Sequence, residues 1–229
     1  MPPLLVLASP DESNNPWFSW AYVRQNIDGL TEALQQHVSL TLAAVGVAAL
    51  VAIPLAIVAY RTPWLSGPIL SASAVLYTIP SLALYAFLGP LLGLKFSTAL
   101  IGLVLYALLA VVRNTLTGLR QVPADVRDAA AGMGYGRLGL LWRVELPLAL
   151  PSIMVGLRIA TVSTVALVTV CALVGFGGFG TVILTGFNNN FYHAQIMAGT
   201  IGCVALALVL DIVLIGLTRL VTPWLRVAR

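Results

Sequence analysis

The chain has 229 residues, of which 59% are hydrophobic and only 9% are charged, and its mean hydropathy is +0.97. Soluble domains carry about 25% charged residues, and one soluble core could not bury so much apolar surface. The composition therefore excludes a soluble globular protein and indicates a membrane protein.

The N-terminal segment, residues 1–37, precedes the first long apolar run. It lacks a basic stretch followed by an apolar core and a small-residue cleavage site, so no signal peptide is predicted. Residues 16–36 combine few charges with four aromatic side chains, which is typical of a helix lying at the outer face of a membrane. We predict an extracytoplasmic or interfacial segment, in its simplest form a disordered lead followed by an aromatic anchor. The aromatic residues are Trp17, Phe18, Trp20 and Tyr22.

Five apolar runs follow, each close to the roughly 20 residues that cross a bilayer at 1.5 Å rise per residue. They predict an all-α, polytopic membrane protein with about five transmembrane helices. The transmembrane domain would comprise residues 38–220, followed by a cytoplasmic tail of residues 221–229. The predicted spans are residues 38–60, 68–88, 97–112, 153–175 and 196–218.

Polar side chains in the second and fourth spans are candidates for lining a path through the membrane. Pro80 interrupts the helical hydrogen-bond ladder and can leave backbone carbonyls facing a cavity. Alternatively, the serines and threonines only pack helices together. The candidates are Tyr77, Thr78, Pro80, Ser81 and Tyr85 in the second span, and Thr161, Ser163, Thr164 and Thr169 in the fourth.

A polar, arginine-bearing stretch interrupts the apolar sequence between the third and fourth spans, within a predicted loop of residues 123–147. Its first part favours a helix over Asp128, Ala129 and Ala130, and Gly134 favours a turn with positive φ. A second helix, from about residue 137 to 145, is expected to end at a proline. It would present an apolar face that inserts into a groove on another protein. That face comprises Leu138, Leu141 and Trp142, and the proline is Pro147.

Residues 176–195 are uncharged and join the last two spans. Their glycines, Gly177, Gly178 and Gly180, are predicted to form an outer gate whose backbone bends as a cavity opens. In the last span, Asp211 is an acid predicted deep in the membrane, with no lysine or arginine in the same span to pair with it. Because such an acid is costly, it serves either translocation or a structural hydrogen bond to a neighbouring helix.

The basic residues predict the orientation. With the loop 123–147 in the cytoplasm, five spans place the N-terminus outside and the C-terminus inside. Only Arg24 and Lys95 are then outside, and Arg158 lies near the inner end of its span, where it can snorkel. The net charge of +4 thus reflects topology, and no nucleic-acid partner is predicted. The inner residues are Arg61, Arg113, Arg120, Arg127, Arg137, Arg143, Arg219, Arg226 and Arg229.

The sequence offers no catalytic constellation. Its single lysine, Lys95, does not follow a glycine-rich loop, which excludes a Walker A phosphate site. His37 and His193 are the only imidazoles, and Cys171 and Cys203 have no partner at ligand spacing. We expect a chain that is not an enzyme, with no catalytic residue, no metal and no cofactor.

Six residues of the loop fit a pattern with fixed spacing: Asp128, Ala129, Ala130, Gly134, Leu146 and Pro147. The pattern resembles the cytoplasmic "EAA" loop, E-A-A-x-x-x-G-x9-I-x-L-P, of the membrane subunits of ATP-binding-cassette (ABC) importers. Asp128 replaces Glu, and Val144 replaces Ile. In that family the loop docks on an ATPase subunit and carries its stroke into the membrane. The resemblance implies that these six residues, with Leu138, Leu141 and Trp142, couple the chain to an ATPase that holds the ATP and Mg²⁺.

Further segments look like the osmoprotectant branch of these permeases, whose members import glycine betaine, choline, carnitine and related quaternary ammonium compounds. The alternative is a permease for amino acids or another small solute. A more remote alternative, a secondary transporter or channel, predicts an internal repeat or more intramembrane charges. The resemblance covers about residues 38–220 and is carried by Thr78–Leu84, Arg113–Thr115, Gly132–Gly134, Glu145–Pro151, Ile153–Arg158 and Gly177–Gly180.

The resemblance implies the type I importer (MetI-like) permease fold in the plasma (inner) membrane of a bacterium or archaeon. It also implies a second permease subunit, identical or paralogous, two ABC ATPase subunits and an extracytoplasmic substrate-binding protein. The path would run between the paired permeases. Since selectivity in such systems rests largely on the binding protein, this chain alone does not name the solute.

Overall fold

The computed structural model describes residues 15–226, and this part of the chain consists of helices and the turns that join them. A π-helical turn, Leu141–Glu145, joins α7 to α8, and 3₁₀ turns follow α8 (Thr169–Val174) and α10 (Pro223–Arg226). The α-helices are α1 (Trp20–Gln25), α2 (Ile27–Arg61), α3 (Pro63–Thr78), α4 (Ser81–Leu92), α5 (Phe96–Arg120), α6 (Ala124–Gly132), α7 (Arg137–Leu140), α8 (Leu146–Val168), α9 (Phe179–Asn188) and α10 (His193–Val221).

The described residues contain four helical segments long and apolar enough to cross a bilayer, and α3 with α4 supplies a fifth if that bent pair counts as one span. The all-α fold with about five spans is therefore confirmed. The helices extend beyond several predicted spans, because hydropathy marks the apolar stretch whereas the helix continues through polar turns at its ends. The helix that contains the first predicted span begins at Ile27, so part of the segment assigned to the interface is helical and belongs to α2. The helix of the third predicted span continues to Arg120. The predicted disordered lead lies largely outside the described residues.

α5 is the central helix and packs against both α2 and α8. Ala44, Ala48, Ala52 and Ala56 of α2 recur every fourth residue and are fully buried. This spacing places them on one face of the helix, and their small side chains allow close approach of backbones, which is how membrane helices associate without a hydrophobic driving force.

Glycines allow the helices α5 and α8 to pack closely against each other. A Cβ added at Gly118 of α5 would lie 2.7 Å from Ser152 Cβ and 2.9 Å from the Ala149 carbonyl oxygen, both on α8. Gly156 of α8 shows the same constraint, since its Cβ would lie 2.8 Å from Asn114 Cβ on α5. Any larger side chain at these positions must separate the two helices.

The predicted interruption at Pro80 is confirmed, and it bends α3 and α4 by 88°. Ile79, which precedes the proline, is extended with φ −62° and ψ 126°, as steric contact with a following proline favours. The carbonyl that the break leaves free accepts a hydrogen bond of 2.6 Å from Tyr106 Oη of α5. A side chain of the central helix thus replaces the missing backbone partner.

The close contact of α5 and α8 generates a prediction. Gly118→Val should destabilise the chain by about 1–3 kcal/mol, because the added methyl groups overlap α8. The matched control is Gly46→Val in α2, where an added Cβ meets none of the described atoms within 4 Å. Thermal unfolding of the detergent-purified chain measures both. Equal unfolding midpoints for the two variants would contradict the packing described here.

Candidate functional site

The first part of the loop 123–147 is α6, whose end is fixed by Gly134. Gly134 has φ +87°, its N–H donates to the Ala131 carbonyl at 2.9 Å, and the N–H of Tyr135 donates to the Ala130 carbonyl at 3.2 Å. These two bonds form a Schellman motif, which requires a left-handed residue after the helix. The predicted turn at Gly134 is confirmed. The neighbouring Gly132 and Gly136 do not have positive φ, and Gly136 has an ordinary φ of −69°. Positive φ is therefore needed only at Gly134.

The second part of the loop differs from the prediction, because Pro147 does not end a helix. α7 runs through the π-helical turn into α8, and Pro147 lies in the first turn of α8. Proline lacks an N–H, and its ring presses on the carbonyl four residues earlier. The preceding turn is widened instead of broken, and the N–H of Leu146 reaches the Leu141 carbonyl five residues back. The loop is therefore continuous with the long segment Arg137–Val174.

The nine residues predicted to contact an ATPase differ in their solvent exposure. Leu138 is 73% exposed and Trp142 is 65% exposed, and both stand on the outside of the loop. Ala130 and Leu141 are buried within the chain, which corrects their placement on a contact face. Leu141 packs with a small apolar cluster of α5 and α8 residues. Of the others, Asp128, Ala129 and Gly134 are exposed, whereas Leu146 and Pro147 are half-buried.

A polar cluster lies beneath the loop. Tyr60 Oη donates to Glu145 Oε1 at 2.6 Å, and Arg61 donates to Glu145 Oε2 at 3.1 Å. Arg127 of α6 donates to the same Tyr60 oxygen at 3.1 Å, and this hydrogen bond raises the pKa of the Arg127 guanidinium, which stays charged. We refer to Tyr60, Arg61, Arg127 and Glu145 as the Glu145 network.

The predicted path residues fall into two groups. Tyr77, Thr78 and Pro80 are exposed and Ser81 is half-buried, all next to the break between α3 and α4. Three of the other candidates, Tyr85, Thr161 and Thr164, are by contrast buried inside this chain. Ser163 and Thr169 are half-buried. Tyr85 Oη donates to the Ala99 carbonyl at 3.1 Å, and Thr161 Oγ1 donates to the Leu157 carbonyl at 2.8 Å. The third buried residue is Thr164, with 0% exposure.

Asp211 does have a basic partner, and it comes from a neighbouring helix. Arg158 of α8 binds both carboxylate oxygens of Asp211, at 2.8 and 2.9 Å. Such bidentate pairs are the strongest side-chain hydrogen bonds. The arrangement supports a structural contact between α8 and α10, although both side chains keep about a third of their surface exposed in the isolated chain (35% and 28%). Arg158 is thus paired and does not extend alone to the membrane surface.

The glycine-rich turn at the other end of the molecule is tightly packed. Gly177, Gly178 and Gly180 are buried, and a Cβ added at Gly178, which has φ +52°, would lie 2.7 Å from His37 Cβ. The Gly178 N–H donates to Gln36 Oε1 at 2.7 Å, and the Phe179 N–H donates to His37 Nδ1 at 3.3 Å. α2 thus caps the first turn of α9, a helix that the sequence prediction missed. Close packing explains these glycines in this conformation, and their role as an outer gate stays a prediction.

Comparison with known proteins identifies the class of the chain. Residues 44–227 match the family described as "Binding-protein-dependent transport system inner membrane component". The chain belongs to this family. The Osmoprotectant import permease protein OsmW of Salmonella typhimurium is 36% identical over 207 residues, which cover 88% of this chain and 96% of OsmW. OpuCD of Bacillus subtilis, a glycine betaine/carnitine/choline transport system permease protein, is 36% identical over 202 residues, 88% of each chain.

Among solved structures, the permease resembles a chain of the MetNI methionine ABC transporter in an inward-facing conformation. The TM-score is 0.79 at 17% sequence identity, and the match covers 86% of this permease and 98% of that chain. At this identity the likeness concerns the fold alone, and it confirms the predicted importer-permease fold.

Sequence reasoning also missed the Glu145 network and the hydrogen bond by which His37 caps α9 in this permease. Their partners are distant in sequence, since Tyr60 lies 85 residues before Glu145 and His37 lies 142 residues before Phe179. One signal was available: Glu145 follows Leu141 by four residues, which places an acid on the same helix face as a core leucine. In the described part of the permease, no group of three or more His, Cys, Asp or Glu residues is positioned to hold a metal ion.

The Schellman motif generates a prediction for the loop of the permease. Gly134→Val should strain the turn by roughly 1–3 kcal/mol, because a β-branched residue resists positive φ. Local opening of α6 should rise about tenfold to a hundredfold. Hydrogen exchange of residues 124–135 measures this opening. Gly136→Val, two residues away at ordinary φ and with open space around it, is the control and should exchange like the wild type. Unchanged exchange in both variants would refute the role of Gly134.

Proposed function

We propose that this permease forms the translocation path for a quaternary ammonium osmoprotectant such as glycine betaine, choline or carnitine. The observation that carries the proposal is the 36% identity, over 88% of the chain, to permeases whose names specify osmoprotectants or these three compounds. A choline permease, OpuBB of Bacillus subtilis, is similar at 35% identity. The alternative of amino-acid import has weaker support, since the methionine transporter shares only the fold at 17% identity.

ATP hydrolysis in the proposed transporter takes place on separate subunits. The full sequence has no Walker A loop. The loop 123–147 exposes Leu138, Trp142 and Met133, large apolar side chains that favour burial in a protein interface. We therefore place one of two ABC ATPase subunits against these residues, with Asp128 and Ala129 at the edge of the contact. A second permease, identical or paralogous, and an external binding protein complete the assembly.

The proposed orientation places the loop 123–147 and the C-terminus in the cytoplasm and the N-terminus outside, in the plasma membrane of a bacterium or archaeon. It is supported by the arginines in the last turns of α2, α5 and α10 and in the loop. Arg61 and Arg120 end α2 and α5, Arg219 lies in the last turn of α10, and Arg127 and Arg137 lie in the loop. An excess of arginine on the cytoplasmic side is the general rule for membrane proteins.

The translocation path is placed along the exposed break between α3 and α4, at Tyr77, Thr78, Pro80 and Ser81, and along the Arg158–Asp211 pair. Asp211 is ten residues before the end of α10, which corresponds to roughly 15 Å of helix. Charges at that depth do not face lipid without a large cost. About a third of the Arg158 and Asp211 side chains is exposed in this chain. We therefore place that exposed surface against the second permease or the water-filled path.

The proposed substrate class is tested by uptake in cells that lack other osmoprotectant transporters. The permease, co-expressed with its cognate ATPase and binding protein, should take up labelled glycine betaine or choline, and unlabelled carnitine should compete whereas methionine should not. Omitting the ATPase is the control and should abolish uptake. Uptake of methionine or another amino acid, without any quaternary ammonium uptake, would contradict the proposal.

A further inference from the structure

We infer that Glu145 is a positioning residue, through which movement of the loop 123–147 reaches α2 and α8 together. The inference rests on the proposed function, because it describes how a movement of the ATPase would be transmitted from the loop to the membrane helices. It concerns a residue beneath the proposed contact surface, because Glu145 is only 2% exposed.

Burial makes the contacts of Glu145 obligatory. A carboxylate removed from water must be paired, and removing one partner leaves an uncompensated charge. Here one oxygen accepts from Tyr60 at 2.6 Å and the other accepts from Arg61 at 3.1 Å. Tyr60 and Arg61 are the last two residues of α2, so the carboxylate ties the end of that helix to the π-helical turn at the start of α8.

The hydroxyl of Tyr60 extends the connection to α6. It accepts a hydrogen bond from Arg127 at 3.1 Å while donating its own proton to Glu145. Arg61 makes a parallel link, since it also donates to the carbonyl of Arg137, the first residue of α7, at 2.8 Å. Both halves of the loop are therefore attached to Tyr60 and Arg61 of α2, the same two residues that hold Glu145.

The π-helical turn connects this network to the exposed face of the loop. Leu141 and Glu145 point inward from the turn, whereas Trp142 and Arg143 point outward. Isolated π turns inside helices are commonly found at functional sites. A force on Trp142 acts on the turn that carries Glu145, and α8 continues from that turn into the membrane.

The network predicts a loss of coupling without a loss of assembly. In proteoliposomes containing the assembled transporter, Tyr60→Phe removes only the shared hydroxyl. Co-purification of the ATPase and basal ATP hydrolysis should stay at wild-type level. Stimulation of hydrolysis by glycine betaine-loaded binding protein, and uptake per ATP, should fall about tenfold or more, because hydrogen bonds to charged groups are strong.

A double-mutant cycle separates this role from general structural support. Arg127→Gln should reduce coupling, and Tyr60→Phe with Arg127→Gln should be no worse than Tyr60→Phe alone within about twofold, since both act through one oxygen. Arg113→Gln, which removes an exposed arginine of α5, is the matched control and should couple normally. Multiplicative effects, wild-type coupling in Tyr60→Phe, or a parallel loss of assembly and coupling would each overturn the inference.

Hydrogen exchange on the isolated permease tests the same link without any partner. Tyr60→Phe should raise exchange in residues 124–132 at least severalfold, because α6 loses its tie to α2. Unchanged exchange would overturn the inference. Failure of the wild-type permease to bind the ATPase would instead overturn the proposed function, so the two failures are distinguishable.

Discussion

In a bilayer, backbone N–H and C=O groups must find their partners within the protein, and this constraint shapes three interruptions of the helices described here. The break at Pro80 is possible because Tyr106 donates to the carbonyl of Ile79. The glycine turn before α9 is possible because Gln36 and His37 accept the N–H groups at its end. At Pro147 the helix solves the same problem without a break, by widening one turn.

These interruptions coincide with the segments that the function requires. The break at Pro80 exposes polar side chains at the surface where we place the path. The widened turn keeps the second part of the loop and α8 in one helical segment, Arg137–Val174. A displacement at Trp142 can therefore be transmitted along a continuous helix. The close packing of α8 on α5 and of α5 on α2 then spreads that displacement, since cores packed at backbone contact distance move as units.

Composition and local signals were enough to predict the membrane class, about five spans and the turn at Gly134, because each depends on residues near one another in sequence. Contacts between distant residues were not predictable in this way. Burial of Ala130 and Leu141, the pairing of Asp211 with Arg158, and the Glu145 network each need the packed arrangement of helices. The prediction that Pro147 ends a helix is wrong, because proline is found both after helices and in their first turn. Only the surrounding backbone hydrogen bonds decide between these two positions.

We place the exposed apolar residues of the loop 123–147 of this permease against an ATPase. A photo-crosslinking amino acid in place of Leu138, activated in intact membranes that contain the cognate ATPase and binding protein, tests it most directly. The account predicts one dominant crosslinked product, the permease joined to the ATPase, and none from the same substitution at buried Leu141. Crosslinking of position 138 to lipid or to the second permease alone, with no ATPase product, would contradict it.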